Sequence, residues 1–136
     1  MKALLQRQLR YFEMFARAYR AIREPTEIQQ TLLAQIATAR AAIEQPKDVT
    51  LALRAAHMSD PDFLSSVREI DEVTVKRIKD EATDPELALL HWEAGRGLAL
   101  SSLLGMCPLS TQDRERLFDR LRAETQKAAD EQFRRL

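Results

Sequence analysis

The chain has 136 residues, with 21 basic and 21 acidic side chains and a formal net charge of zero. This length fits one domain with an ordinary core, and the balanced charge excludes the bulk positive field that drives non-specific binding to nucleic acids. The only cysteine, Cys107, cannot form a disulfide within the chain, and no N-terminal apolar run resembles a signal peptide. We therefore expect one domain over residues 1–136, located in the cytoplasm and without a membrane span.

Five prolines punctuate a sequence rich in residues of high helix propensity, which predicts an all-α, single-domain bundle of about six helices. The first helix, about residues 2–23, is amphipathic and locally basic. A basic exterior face and a contact with phosphate or an anionic membrane surface both fit it. The second helix begins at a capping box of Thr26 and Gln29 and ends before Pro46; the third, about residues 48–58, is short. The expected buried face of the second helix consists of Ile28, Leu32, Ile36, Ala39 and Ile43.

Local sequence signals predict where the fourth and fifth helices begin and where the fifth ends. Asp60-Pro61 and Asp84-Pro85 each place an N-cap acceptor before a proline in the first turn, which predicts the starts of the fourth and fifth helices. Gly105 is a natural stop for the fifth. The fourth helix carries an expected apolar set of Phe63, Val67, Ile70 and Ile78.

The sixth helix is predicted to open at Ser110, with a pattern that weakens beyond Glu124. Its apolar side contains Leu117, Phe118, Leu121 and Ala128.

The fifth helix is apolar on two sides, and a helix buried on two faces needs two neighbours. One face contains Leu89, Trp92, Ala99 and Leu103. The other, with smaller side chains, contains Leu90, Ala94, Gly97, Leu98, Ser101 and Leu104. The second face fits either a central helix of a monomeric bundle or a contact between subunits. Helical glycines are unfavourable, so we expect close packing to compensate for them.

Side chains suited to catalysis or metal binding are few and scattered. His57, His91 and Cys107 do not pair at a metal-ligand spacing, and no catalytic motif surrounds Cys107. The carboxylates of the fourth helix fit a solvated charged face: Asp71, Glu72, Asp80 and Glu81. We therefore expect no metal, no cofactor and no enzymatic activity.

Two segments resemble the last two helices of regulatory domains in the tetracycline-repressor (TetR) family. Residues 86–98 (ELALLHWEAGRGL) and 103–110 (LLGMCPLS) follow the family's order of a long apolar helix, a Leu-Gly step, a short proline loop and a closing helix. Arg96-Gly97-Leu98 stands where the family commonly has Asp-Gly-Leu, so Arg96 has the opposite charge to the aspartate common in the family. Lys2-Ala-Leu-Leu5 is similar to the start of the family helix that connects the DNA-reading part to the core.

The resemblance spans Lys2 to about Glu124 and implies a homodimeric effector-binding domain that lacks the N-terminal helix-turn-helix. Helices five and six, residues 85–128, would pair with those of a second subunit. The chain alone would then have no specific affinity for DNA. The expected dimer contacts are Leu90, Ala94, Gly97, Leu98, Ser101, Leu117 and Leu121. The alternative is a helical adaptor that binds another polypeptide and no small molecule.

Aromatic side chains on different helices suggest where a small apolar or amphipathic effector would bind. The expected ring contacts are Phe12, Phe15, Tyr19, Phe63 and Trp92. Tyr19, His57 and Arg96 are the expected polar anchors. Two alternatives stay open: the rings simply fill the core, and His57 simply complements the C-terminal end of its helix.

Overall fold

A computed structural model of the protein describes residues 30–44 and 61–135. These residues form four α-helices and no strand. The helices are α1 (Gln30–Ile43), α2 (Pro61–Glu81), α3 (Pro85–Leu103) and α4 (Thr111–Arg134). The all-α class is confirmed, but the expected count of about six helices is not matched. The predicted first and third helices, about residues 2–23 and 48–58, lie outside the described residues, as does the capping box before α1.

Local sequence sets the ends of α3 and α4. The Asp84 carboxylate accepts a hydrogen bond from the backbone N–H of Leu87, at 3.1 Å. Gly105 ends α3 with a φ of 70°, a left-handed conformation that favours glycine. The Ser110 hydroxyl accepts from the backbone N–H of Asp113 at 3.0 Å and caps α4. These predicted boundaries are confirmed.

Helix α1 contacts each of the other three described helices, as does α3. Four consecutive residues, 31–34, are buried, so the N-terminal half of α1 is covered on every side. Because a helix that is buried on all sides needs several neighbours, α1 packs against α2, α3 and α4. The buried core consists of Leu32, Ile36, Ile78, Ala88, Trp92 and Phe118.

The buried side of α2 differs from the expected apolar set. Phe63 and Ile78 are buried as predicted, but Ile70 is exposed, and Thr74 is buried nearby. The Thr74 hydroxyl donates to the carbonyl oxygen of Ile70 at 3.1 Å, so its burial leaves no unsatisfied donor. A backbone-bonded threonine thus occupies a core position of α2 without an apolar side chain, while Ile70 lies outside the buried side.

Helix α4 continues beyond Glu124, where its apolar pattern weakens, and ends at Arg134. Phe118, Thr125 and Ala129 form its buried stripe. Thr125 and Ala129 therefore continue the contact beyond Glu124, where bulky apolar residues are lacking.

None of the helices in the described ranges is long and apolar enough to cross a membrane.

Candidate functional site

A cavity of about 670 Å³ lies between α1, α2 and α3. Its volume falls within the range of small-molecule sites, roughly 300–1,000 Å³. Most of its lining is apolar and comes from all three helices: Ile36, Ala39, Ala42, Leu64, Val67, Val75, Trp92, Gly95, Ala99 and Leu100. Its polar lining consists of Gln35, Thr38, Arg68, Asp71, Glu72 and Arg96.

Small residues on two facing helices leave this space. Ala39 and Ala42 contribute to the α1 wall, and Gly95 and Ala99 contribute to the α3 wall. A Cβ added at Gly95 would meet the Cγ1 of Ile36 at 3.9 Å, which is an ordinary contact. The two helices are therefore not pressed together at Gly95, and larger side chains at these positions would occupy the cavity.

Arg96 organises the polar part of the cavity. Its Nη2 lies 2.9 Å from Oδ2 of Asp71, and its Nη1 lies 3.0 Å from Oε1 of Glu93. The guanidinium also stacks on Trp92, with Cζ 4.4 Å from the ring centroid. Two carboxylates therefore share one cation beside the only tryptophan of the chain.

Asp71 differs from the solvated carboxylate that the sequence suggested. Its side chain is about three-quarters buried, with 24% of its surface exposed. Burial raises its pKa above the usual range, against the opposing effect of Arg96, and Glu93 raises the pKa further. The ionised form is therefore stabilised less than in water, although a guanidinium is in contact with it.

The predicted ligand contacts are distributed unevenly. Trp92 and Arg96 line the cavity, whereas Phe63 is buried outside the wall that the described residues form. Phe63 is buried on another face of α2 than the next residue, Leu64, which lines the cavity. The remaining four predicted contacts lie outside the described residues: Phe12, Phe15, Tyr19 and His57.

Sequence reasoning missed the contribution of α2 to the cavity. Leu64, Val67, Asp71 and Val75 follow one another at spacings of three and four, so they share one helical face. A carboxylate within such an apolar stripe is the signal that could have identified Asp71.

The second apolar face of α3 is only partly packed inside the described bundle, where Leu98 contacts the core. Leu90 is 67% exposed, Ala94 and Gly97 are also exposed, and Leu98 and Ser101 are partly buried. A Cβ added at Gly97 would meet no described atom within 4 Å, so close packing within the described chain does not explain this glycine. On α4, Leu117 is exposed and Leu121 partly buried.

His91 lies at the contact between α3 and α4. Its Nδ1 is 3.4 Å from the Thr125 hydroxyl, and its Nε2 is 3.4 Å from Oε2 of Glu124. A hydrogen bond from Arg120 lowers the pKa of Glu124, which keeps this carboxylate ionised. These contacts hold α4 against α3. Among the described residues, no group of three histidine, cysteine or acidic side chains could hold a metal ion.

The fold and the cavity define an all-helical bundle domain with a mainly apolar cavity between three helices. A family model described as "Tetracyclin repressor-like, C-terminal domain" matches residues 10–126, and the chain belongs to this family. The resemblance inferred from residues 86–98 is therefore confirmed. No curated protein and no solved structure gives a significant match. Domains of this family generally bind effectors and dimerise in regulatory, non-enzymatic proteins.

Proposed function

We propose that the chain is the effector-sensing and dimerisation domain of a TetR-like transcriptional regulator acting in the cytoplasm. The observation that carries the proposal is the cavity of about 670 Å³, whose lining is mainly apolar with one polar cluster around Arg96. Binding sites for small molecules typically combine these two features. Membership of a family whose C-terminal domains generally bind effectors supports the same function.

Helix α3 connects the two parts of this function. Trp92 and Arg96 line the cavity from one side of α3, whereas Leu90 and Gly97 are exposed on another side. A ligand that moves α3 would therefore change the surface through which we propose that two subunits pair. Ligand binding and dimer geometry would then be coupled, because each would favour the same arrangement of α3.

The proposed dimer contact would bury the exposed apolar face of α3. Covering an exposed leucine contributes roughly 1.5–3 kcal/mol when its burial is complete. The contact would bring Leu90, Ala94, Gly97, Leu98, Ser101, Leu117 and Leu121 together with the same residues of a second copy. An adaptor that binds another polypeptide through this face is the second candidate, because the same exposure of Leu90 would serve it.

The cavity is tested with a thermal-shift screen of small apolar and amphipathic compounds. A compound at about 100 times its Kd adds about 2.7 kcal/mol to the free energy of unfolding. Because Trp92 lines the cavity and is the only tryptophan, each stabilising compound should also change tryptophan emission. We expect Ala99→Phe, which adds bulk inside the cavity, to reduce both effects.

Ala123→Phe is the matched control, because Ala123 is exposed on α4 and lies outside the cavity lining. It should leave binding unchanged. If the compounds stabilise Ala99→Phe as strongly as the parent and leave Trp92 emission unchanged, the cavity is not the effector site. A monomeric parent protein that responds to no compound would favour the adaptor.

A further inference from the structure

The charged groups around Arg96 are not balanced. Arg96 contacts both Asp71 and Glu93, at 2.9 and 3.0 Å, so the cluster has two carboxylates and one guanidinium. The other charged lining residues, Arg68 and Glu72, pair with each other at 3.5 Å and are mostly exposed. This second pair cancels itself, so among the described residues the one excess negative charge of the cluster comes from Glu93, which is 61% exposed and shares Arg96 from outside the cavity lining.

Asp71 is the carboxylate with unused binding capacity. Its Oδ2 contacts Arg96, whereas its Oδ1 accepts no hydrogen bond from any described residue. Burial also disfavours its charged form. On a side chain that is about three-quarters buried, a carboxylate oxygen without a protein donor is poorly solvated, and a bound group that donates a hydrogen bond and carries positive charge would offset that cost.

Arg96, in contrast, is already occupied. Both of its Nη atoms are paired, and its guanidinium face lies against Trp92. An anionic ligand would have to separate Arg96 from Asp71 or Glu93 and leave that carboxylate without its cation. Breaking such a partly buried pair is unfavourable, so the cluster favours a cation over an anion.

We propose that the cavity binds an amphipathic organic cation, with a protonated amine on Oδ1 of Asp71 and an apolar body against Ile36, Val67, Val75 and Ala99. This inference rests on the proposed effector-binding function and specifies the ligand class of that site. The amine neutralises the excess charge, and the apolar body fills the space between α1, α2 and α3.

Three probes that share one apolar cage test the ligand class: adamantylmethylamine, adamantylmethanol and adamantane carboxylate. They are cationic, neutral and anionic at neutral pH, and none absorbs where tryptophan does. We measure their affinities by titration calorimetry and follow Trp92 emission in parallel. The amine should bind the parent protein at least about tenfold more tightly than the alcohol or the carboxylate, a difference of about 1.4 kcal/mol.

Asp71→Asn should weaken binding of the amine by about tenfold and change binding of the alcohol by less than about twofold. Asp80→Asn is the matched control, because Asp80 is an exposed carboxylate of the same helix and lies outside the cavity lining. It should leave the affinity for the amine within about twofold of the parent value. An equal loss in both variants would overturn the assignment to Asp71.

The comparison of probes on the parent protein needs no variant, so it decides the ligand class even if Asp71→Asn fails to fold. If the alcohol or the carboxylate binds as tightly as the amine, the cation inference is wrong and the effector cavity stands. If no probe binds or changes Trp92 emission while the compound screen finds stabilising ligands, again only the inference fails. Failure of both experiments removes the cavity function as well.

Discussion

Glu81 connects the C-terminal end of α2 with the first turn of α1. Its Oε1 accepts the backbone N–H of Thr31 at 3.0 Å, and its Oε2 accepts the Thr31 hydroxyl. A carboxylate at this position satisfies an amide near the helix start and complements the helix dipole. The sequence suggested a solvated role for Glu81, which is wrong because the partner lies on another helix.

Replacing Glu81 by alanine should therefore destabilise the protein. We expect Glu81→Ala to lower the free energy of unfolding by about 1–2 kcal/mol, since the buried Thr31 loses a charge-assisted partner. Urea denaturation monitored by circular dichroism measures the loss. Asp80→Ala is the control, because Asp80 is an exposed carboxylate on the preceding residue, and it should change stability by less than about 0.5 kcal/mol. Equal losses would mean that the Glu81 contact contributes nothing specific.

Asp71 should make stability depend on pH in the direction opposite to that of an ordinary paired carboxylate. Its pKa is raised in the folded protein, so the folded state holds the Asp71 proton to higher pH than the unfolded state. Stability from this residue is therefore present below the unfolded pKa and falls as pH rises through the folded pKa. The charges around Asp71 are Arg96 and Glu93 on α3 and Arg68 and Glu72 on α2; Gln35 and Thr38, the polar lining of α1, are uncharged.

The measurement compares the parent protein with Asp71→Asn at about pH 4 and about pH 7. From the lower to the higher pH, the parent should lose stability relative to the variant, because only the parent must ionise a buried carboxyl group. Other carboxylates titrate in both proteins and cancel in the difference. A parent that gains stability relative to Asp71→Asn over this interval would show that Arg96 outweighs burial.

At the scale of elements, Arg40 joins α1 to α4. Its Nη1 donates to Oδ1 of Asp119 at 2.7 Å, its Nη2 contacts Glu115, and its Cζ lies 5.9 Å from the centroid of the Phe118 ring. The hydrogen bond to Glu115 is the main reason that the pKa of Arg40 is raised, and the bond to Asp119 adds to it. A planar fork that engages two carboxylates is specific to arginine.

Arg40→Lys should therefore weaken the contact between α1 and α4, although it conserves charge. We expect a loss of about 0.5–1.5 kcal/mol in the free energy of unfolding, because an ammonium cannot engage both carboxylates with the same geometry. Arg68→Lys is the control, since Arg68 is exposed and pairs only within α2. Urea denaturation should show almost no change for Arg68→Lys. Equal effects of the two substitutions would mean that the Arg40 fork adds nothing beyond a surface charge.

At the scale of the whole molecule, a substitution at Gly97 tests whether the second apolar face of α3 packs between subunits or within one chain. No described atom lies within 4 Å of an added Cβ, so Gly97→Leu should leave the isolated subunit folded. At the proposed dimer contact the leucine would overpack at about 1–3 kcal/mol per site, and a twofold interface repeats the site. Analytical ultracentrifugation should then show monomer that the parent lacks.

Val73→Leu is the control for this substitution, because Val73 is 54% exposed on α2 and lies outside the proposed interface. It should leave the dimer intact. If Gly97→Leu remains as dimeric as the parent, the α3 face is not the subunit contact, whatever happens to the melting temperature.

The sequence by itself determined the helical class, the family and the ends of α3 and α4. Asp84, Gly105 and Ser110 act on backbone groups within a few residues, so their effects are readable without tertiary structure. The apolar pattern around Trp92 likewise identified a buried face of α3. Such signals are local, since each depends on spacing along one helix.

Only the tertiary structure decided the roles of Asp71 and Leu90. Asp71 lies on a helix with many exposed charges. Its partial burial comes from its contact with Arg96 of α3 and from its place in the wall of the cavity that α1 shares. Leu90 has the same apolar character as buried leucines, yet it is exposed because α1 and α2 cover other sides of α3. Burial and ion pairing depend on which helices meet, and that arrangement is a property of the whole packed bundle rather than of any one segment.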